Sequence, residues 1–138
     1  MEGPGSSGAN QINLENMKNN SKAYETYMNR KKVFQNAVCR FPEVINEAMN
    51  KNDLSIDDIR LIIPHQANLR IIQSVAKSMN ISMDKKIYNN IHRYGNTTAA
   101  SIPIALCDAF EDGLIKKGDH LILAAFGAGF TWAYAAIR

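Results

Sequence analysis

Three features of the sequence have the makings of a site that stabilises negative charge on an oxygen. His65 follows the apolar run Leu61-Ile62-Ile63-Pro64 and precedes Gln66, Ala67 and Asn68. Asn96 lies in a stretch of small and polar residues, Gly95-Asn96-Thr97-Thr98-Ala99-Ala100-Ser101. Gly127-Ala128-Gly129 follows the apolar run Leu121–Phe126. A neutral imidazole and a carboxamide each offer a good donor without net charge, and a glycine-rich turn offers free backbone N–H groups. Converging on one point, they would form an oxyanion hole. No nucleophile accompanies them. There is no G-x-S-x-G elbow, Walker loop or G-x-G-x-x-G opening a helix. Neither Cys39 nor Cys107 falls at a strand-to-helix turn, where a helix N-terminus would lower a thiol pKa. Both fall in helical patterns and are expected as small core or boundary residues. Asn96 as a plain helix cap and residues 127–129 as a plain hairpin are the alternative readings. Spacing alone does not choose a reaction.

The elements that must position these groups follow from periodicity. Leu61-Ile62-Ile63 suits a strand buried on both faces, as in a parallel sheet, and Pro64 ends it. Asn68 is a good N-cap for a helix to Asn80, with Leu69, Ile72, Val75, Ala76 and Met79 at helical spacing. His65 then sits between the carboxyl end of a strand and the amino end of a helix, where open α/β sheets build their sites. Upstream, Val33, Phe34, Ala37, Val38, Phe41, Val44, Ile45, Ala48 and Met49 recur at intervals of three and four and predict an amphipathic helix. Pro42 predicts a kink or a restart in it. Residues 81–86 are expected as a polar turn and Ile87–His92 as a second strand. A helix from Asn96 or Thr97 to about Asp112 follows, with Ile102, Leu106, Ala109 and Phe110 inward and Gly113 as its C′ residue. Leu121–Phe126 and Thr131–Ile137 are the last two strands, and so short a connection makes them antiparallel neighbours. The pattern is α/β, a mostly parallel sheet with an antiparallel final strand. Right-handed crossovers put the loops holding His65, Asn96 and residues 127–129 along one sheet edge. His92, within a strand, and His120, starting one, are expected outside the site as structural or exposed residues.

Composition excludes several classes. The 138 residues allow one domain with a sizeable core, and 46% hydrophobic with 21% charged residues is an ordinary soluble balance. A net charge of +3, with basic pairs scattered and no interleaved aromatics, argues against nucleic acid. No apolar run approaches the ~20 residues a membrane helix takes, and no signal-peptide pattern opens the chain. Two cysteines without C-x-x-C spacing argue against a disulfide scaffold or zinc site and suit a reducing, cytoplasmic setting. No metal or cofactor is expected. Met1–Asn20, rich in Gly, Ser and Asn, is expected as a loop or frayed terminus. Its Gly3-Pro4-Gly5-Ser6-Ser7-Gly8 run fits either an expression scar or an internal loop. The division expected is a lead-in over 1–29 and a domain over 30–138.

Pro64-His65-Gln66-Ala67-Asn68, Arg93-Tyr94-Gly95-Asn96-Thr97-Thr98-Ala99-Ala100-Ser101-Ile102-Pro103 and Phe126-Gly127-Ala128-Gly129-Phe130-Thr131-Trp132 resemble, in this order, the carboxyl half of β-ketoacyl-acyl carrier protein synthase III. That is a family of condensing enzymes with the thiolase-like fold. The resemblance runs from about Met28 to Arg138. It implies an enzyme joining an acyl-CoA, often acetyl-CoA, to malonyl-acyl carrier protein at the start of fatty-acid synthesis. It implies that His65 and Asn96 bind the malonyl thioester oxygen, that Phe126 lines the decarboxylation site, and that the turn Gly127-Ala128-Gly129 helps form a second oxyanion hole. Ala128 stands where glycine is more usual. Gln66, Asn68 and Arg70 match positions near the pantetheine arm and the carrier-protein docking face. The acyl-accepting cysteine belongs to an amino-terminal half that this sequence does not hold. The chain alone is therefore expected to be inactive and to expose apolar surface where that half packs; the family is usually homodimeric. A non-catalytic module binding a thioester or carrier protein, and a related starter enzyme of secondary metabolism, are the competing implications.

Overall fold

The apolar run preceding His65 forms β1 (Ile59–Pro64) in a computed structural model that describes residues 14–19, 28–127 and 130–138. β1 pairs in parallel with β2 (His120–Gly127), Ile62 opposite Ile122 and Ile63 opposite Leu123. β2 pairs antiparallel with β3 (Thr131–Ile137), from Leu121 opposite Ile137 to Gly127 opposite Thr131. The order β1-β2-β3, with a parallel bridge from Ile62 to Ile87, leaves β1 flanked on both sides. That is why its sequence is almost continuously apolar rather than alternating.

The sheet is covered on both faces. On one, Ile59, Ile62, Ile122, Ala124 and Phe126 pack with two helices, α2 (Arg30–Lys51) and α3 (Leu69–Ser78). On the other, Leu61, Ile63 and Leu121 pack with Tyr88 and with Ala105 and Ala109 of α6 (Ser101–Glu111). Among the described residues there are also three short α-helices, α1 (Leu14–Asn19), α4 (Met83–Lys86) and α5 (Ile91–Tyr94), and a 3-10 turn, Thr98–Ala100. α6 ends as expected: Gly113 adopts φ +70° and the Leu114 N–H reaches the Ala109 carbonyl at 3.0 Å. β3 is covered on one side only, its other face leaving Ala133, Ala135 and Ile137 exposed.

Several local expectations are overturned. Of the two outcomes expected at Pro42, a restart does not occur: α2 runs through it as one 22-residue helix. An interior proline costs ~3 kcal/mol. Burial of Phe41, Val44, Ile45 and Met49 around it, at about 1.5–3 kcal/mol per large side chain, outweighs that cost. Ile87–His92 is not a strand. After the bridge at Ile87, the Asn89 carboxamide oxygen accepts the Ile91 N–H at 3.2 Å and starts α5. Such local side-chain bonds compete with a ladder, and His92 is exposed on this helical turn. Residues 83–86 of the expected turn close as α4. Within Met1–Asn20, expected as loop, Leu14–Asn19 is helical, with Glu15 in its first turn and Lys18 in its last, an arrangement that suits the helix dipole. Residues 1–13 and 20–27 lie outside the described residues. Phe110 and Leu69, expected inward, are exposed; Ala105, Asp108 and Ile71 take the buried positions. Both cysteines are exposed rather than in the core, because the buried stripes of α2 and α6 pass beside them.

Candidate functional site

The parallel register of β1 and β2 delivers His65 and Phe126 to the same sheet edge. The His65 N–H continues the ladder, donating to the Ala124 carbonyl at 2.7 Å. The chain then turns into α3, capped by Asn68, whose side-chain oxygen accepts the Arg70 N–H at 2.9 Å. The imidazole is half-buried, and burial holds its pKa below the ordinary value, since removal from water disfavours the charged ring. Its Nδ1 lies 2.6 Å from the Ser101 hydroxyl.

Gln66 is only 1% exposed. Its side-chain amide donates to the Pro64 and Tyr88 carbonyls at 2.7 and 3.3 Å, and its oxygen accepts the Asn90 N–H at 3.3 Å. Expected with Asn68 and Arg70 on the pantetheine side, Gln66 instead spends its amide holding the His65 loop to the segment entering α5. Asn68 and Arg70 are exposed at the groove.

Asn96 is held differently. Buried Asp108 on α6 accepts hydrogen bonds from the Asn90 amide (3.0 Å), Arg93 (2.9 Å) and the Tyr94 hydroxyl (3.3 Å), which anchors α5. Gly95 then takes φ +68° and ψ −156°, a region essentially reserved to glycine. Nothing lies within 4 Å of where its Cβ would stand, so the requirement is backbone freedom, not space. The Asn96 side-chain oxygen accepts the Thr98 N–H at 2.9 Å. That leaves its NH₂ group as the part able to donate to a ligand. Thr98 itself has φ +51°, a strained conformation for a β-branched residue.

His65, Asn96, Asn68, Arg70, Phe126 and Gly127 all line one groove of about 1200 Å³. Its floor is apolar: Phe126 contacts Phe41 and Phe130, ring centroids 6.5 and 6.1 Å apart, and Phe34, Ile71 and Trp132 extend it. Ala128 and Gly129 lie outside the described residues. Sequence reasoning missed Ser101, Asn90 and Asp108; an acid set amid the apolar residues of α6 was the one local signal for Asp108. Neither cysteine lines the groove, and the Glu111 carboxylate beside Cys107 pushes that thiol pKa up. Among the described residues no three His, Cys, Asp or Glu side chains converge as a metal would require, and no helix is long and apolar enough to cross a membrane.

Residues 49–138 match the family model described as 3-oxoacyl-[acyl-carrier-protein (ACP)] synthase III C terminal. The chain belongs to the 3-oxoacyl-[acyl-carrier-protein] synthase III family. It is 48% identical over 112 residues to beta-ketoacyl-[acyl-carrier-protein] synthase III of Roseiflexus sp. (strain RS-1), covering 81% of this chain and 34% of that protein. It is 51% identical over 111 residues to the Clostridium tetani synthase III, covering 80% and 33%. The solved Thermus thermophilus synthase III superposes with a TM-score of 0.77 at 46% identity, over 80% of this chain and 34% of that one. The Aquifex aeolicus synthase III gives 0.78 at 41%, over 85% and 37%. The fold is thus thiolase-like, and the chain spans about a third of the length of these synthase III relatives.

Proposed function

We propose that this chain supplies the decarboxylation half-site of a β-ketoacyl-acyl carrier protein synthase III, acting on malonyl-acyl carrier protein in the condensation with acyl-CoA that starts fatty-acid synthesis. The observation that carries the reading is the placement of His65 and Asn96, both neutral donors, along one apolar-floored groove with Phe126. A malonyl thioester seated there accepts hydrogen bonds from the imidazole and the Asn96 amide on its thioester oxygen. The bond between its α-carbon and carboxylate breaks, CO₂ leaves, and the electron pair moves into an enolate whose oxygen carries the charge. Donors fixed before the charge appears stabilise this state more than the ground state. The enolate carbon then attacks an acyl thioester on a cysteine supplied outside these residues and expels the thiolate. The apolar floor around Phe126 disfavours the charged carboxylate and favours neutral CO₂. Asn68 and Arg70, exposed where α3 opens, face the pantetheine arm and its carrier protein.

The test joins this chain in frame to the amino-terminal part of the Clostridium tetani relative and follows CO₂ release and ketoacyl product from malonyl-acyl carrier protein and acetyl-CoA. Product is expected from the joined protein and none from the chain alone. His65→Ala and Asn96→Ala should each lower decarboxylation at least a hundredfold, the scale of losing one oxyanion donor, about 10²–10³. Ketoacyl product from the chain alone, or decarboxylation indifferent to both substitutions, would overturn the reading.

A further inference from the structure

We propose that Ser101 is a positioning residue that holds His65 in the tautomer carrying its proton on Nε2. Ser101 is the first residue of α6 and is 2% exposed. Its hydroxyl oxygen has two neighbours among the described residues: the Gln66 N–H at 3.2 Å and His65 Nδ1 at 2.6 Å. The Gln66 amide can only donate, so it occupies one lone pair of the hydroxyl. If Nδ1 also carried a proton, the hydroxyl would accept two N–H groups. Its own hydrogen would then be buried without an acceptor, at the cost of an unmade buried bond. If Nδ1 is bare, the hydroxyl donates to it while accepting from the Gln66 N–H, and both of these partners are satisfied. The proton is then on Nε2, leaving that nitrogen a donor.

Ser101 thereby connects two loops that the fold brings together from 36 residues apart. It ties the backbone after His65 and the ring of His65 to the helix that begins five residues after Asn96. A serine here does what a carbonyl or carboxylate bonded to the ring does for other histidines, but with the opposite polarity, donating to the ring rather than accepting from it.

The inference rests on the proposed role of His65 as donor to the thioester oxygen, yet it can be read without substrate. The experiment correlates both ring nitrogens with the carbon-bound ring protons by ¹⁵N–¹H NMR on the labelled chain at about pH 8, above the ordinary histidine range. His65 signals are assigned by their loss in His65→Gln, and His92 and His120 serve as internal references. The expected wild-type pattern is a protonated Nε2 and a bare Nδ1 shifted by an accepted hydrogen bond. Ser101→Ala should abolish that Nδ1 shift and raise the Nδ1–H population several-fold, while Ser101→Thr, which keeps a hydroxyl, should retain the wild-type pattern. A wild-type imidazole protonated on Nδ1, or an Nδ1 shift unchanged in Ser101→Ala, overturns the proposal. Should the alanine variant fail to fold, the wild-type and threonine patterns decide: a threonine variant without the shift counts against it. The expected tautomer together with an inactive joined enzyme would overturn the functional reading alone.

Discussion

His65 and Asn96 open into the same groove but are secured by opposite means. The His65 loop is fixed from inside: its backbone extends the β1–β2 ladder, its ring meets Ser101, and the neighbouring Gln66 is buried with its side chain bonded at three points. The Asn96 loop is exposed and fixed from its ends. Asp108 pins the helical turn before it, and two residues with positive φ, Gly95 and Thr98, bend the backbone around it. One side chain owes its place to long-range packing and the other to local backbone geometry. Losing the support of one should therefore damage the groove differently from losing the support of the other.

The largest break in this contrast should come from Gln66→Leu. The volume is nearly kept, but the Asn90 N–H and the Pro64 and Tyr88 carbonyls lose their partner. At about 1–3 kcal/mol for an orphaned buried group, partly relieved by rearrangement, the expected loss is about 3 kcal/mol in urea unfolding. A loss under about 1 kcal/mol would show that the interior does not hold this loop. Gly95→Ala should act on the other side of the comparison. Forcing an L-residue into that backbone region costs about 1–3 kcal/mol, and the chain can escape most of it by relaxing locally. Amide exchange should therefore quicken over residues 94–98 while β1 stays protected. Protection lost equally in both places would mean that the two loops are one unit.

The smallest effect is one of pH. Burial keeps the His65 pKa below its ordinary value, so the unfolded chain binds this proton more readily than the folded one. Above both values the group adds no pH dependence. As pH falls through the unfolded value, about 6.5, stability is lost, with a slope no steeper than about 1.4 kcal/mol per pH unit. His65→Gln should flatten this part of the curve. An unchanged curve would assign the dependence to other groups.

Much of the frame was legible because its signals are local. A β-branched run closed by proline announced β1, Asn68 announced the start of α3, and Gly113 announced the end of α6. The hairpin of β2 and β3 followed from a short glycine-rich connection. What failed depended on partners distant in sequence. Asn89 and Asn90 sit in a segment that alternates like a strand, yet their carboxamides bond Ile91 and Asp108 and turn the chain. Phe110 has the composition of a core residue, but the sheet faces the narrower stripe Ala105, Asp108 and Ala109. Pro42 left a restart open, and burial on either side of it favours one continuous helix instead. At the site, His65 and Asn96 stood out by residue type and loop position. Gln66 was grouped with Asn68 and Arg70 toward the pantetheine arm, and its burial was not legible in the sequence. Ser101 looked like one more serine at a helix start, because its meaning lies in a contact across 36 residues.

The register of the sheet also sets how much chain entropy each strand pairing costs. Ile122 finds its β3 partner Ala136 across a hairpin closed at Gly127 and Thr131, but its β1 partner Ile62 lies roughly sixty residues upstream. Closing the longer loop costs about 2 to 3 kcal/mol more chain entropy than closing the hairpin, and parallel pairing across a crossover is the slower event. Everything that brings His65 beside Ser101 and into one groove with Phe126 depends on that longer-range pairing. A change that weakens the β1–β2 ladder should therefore disturb the groove lined by His65 and Phe126 before it disturbs the hairpin.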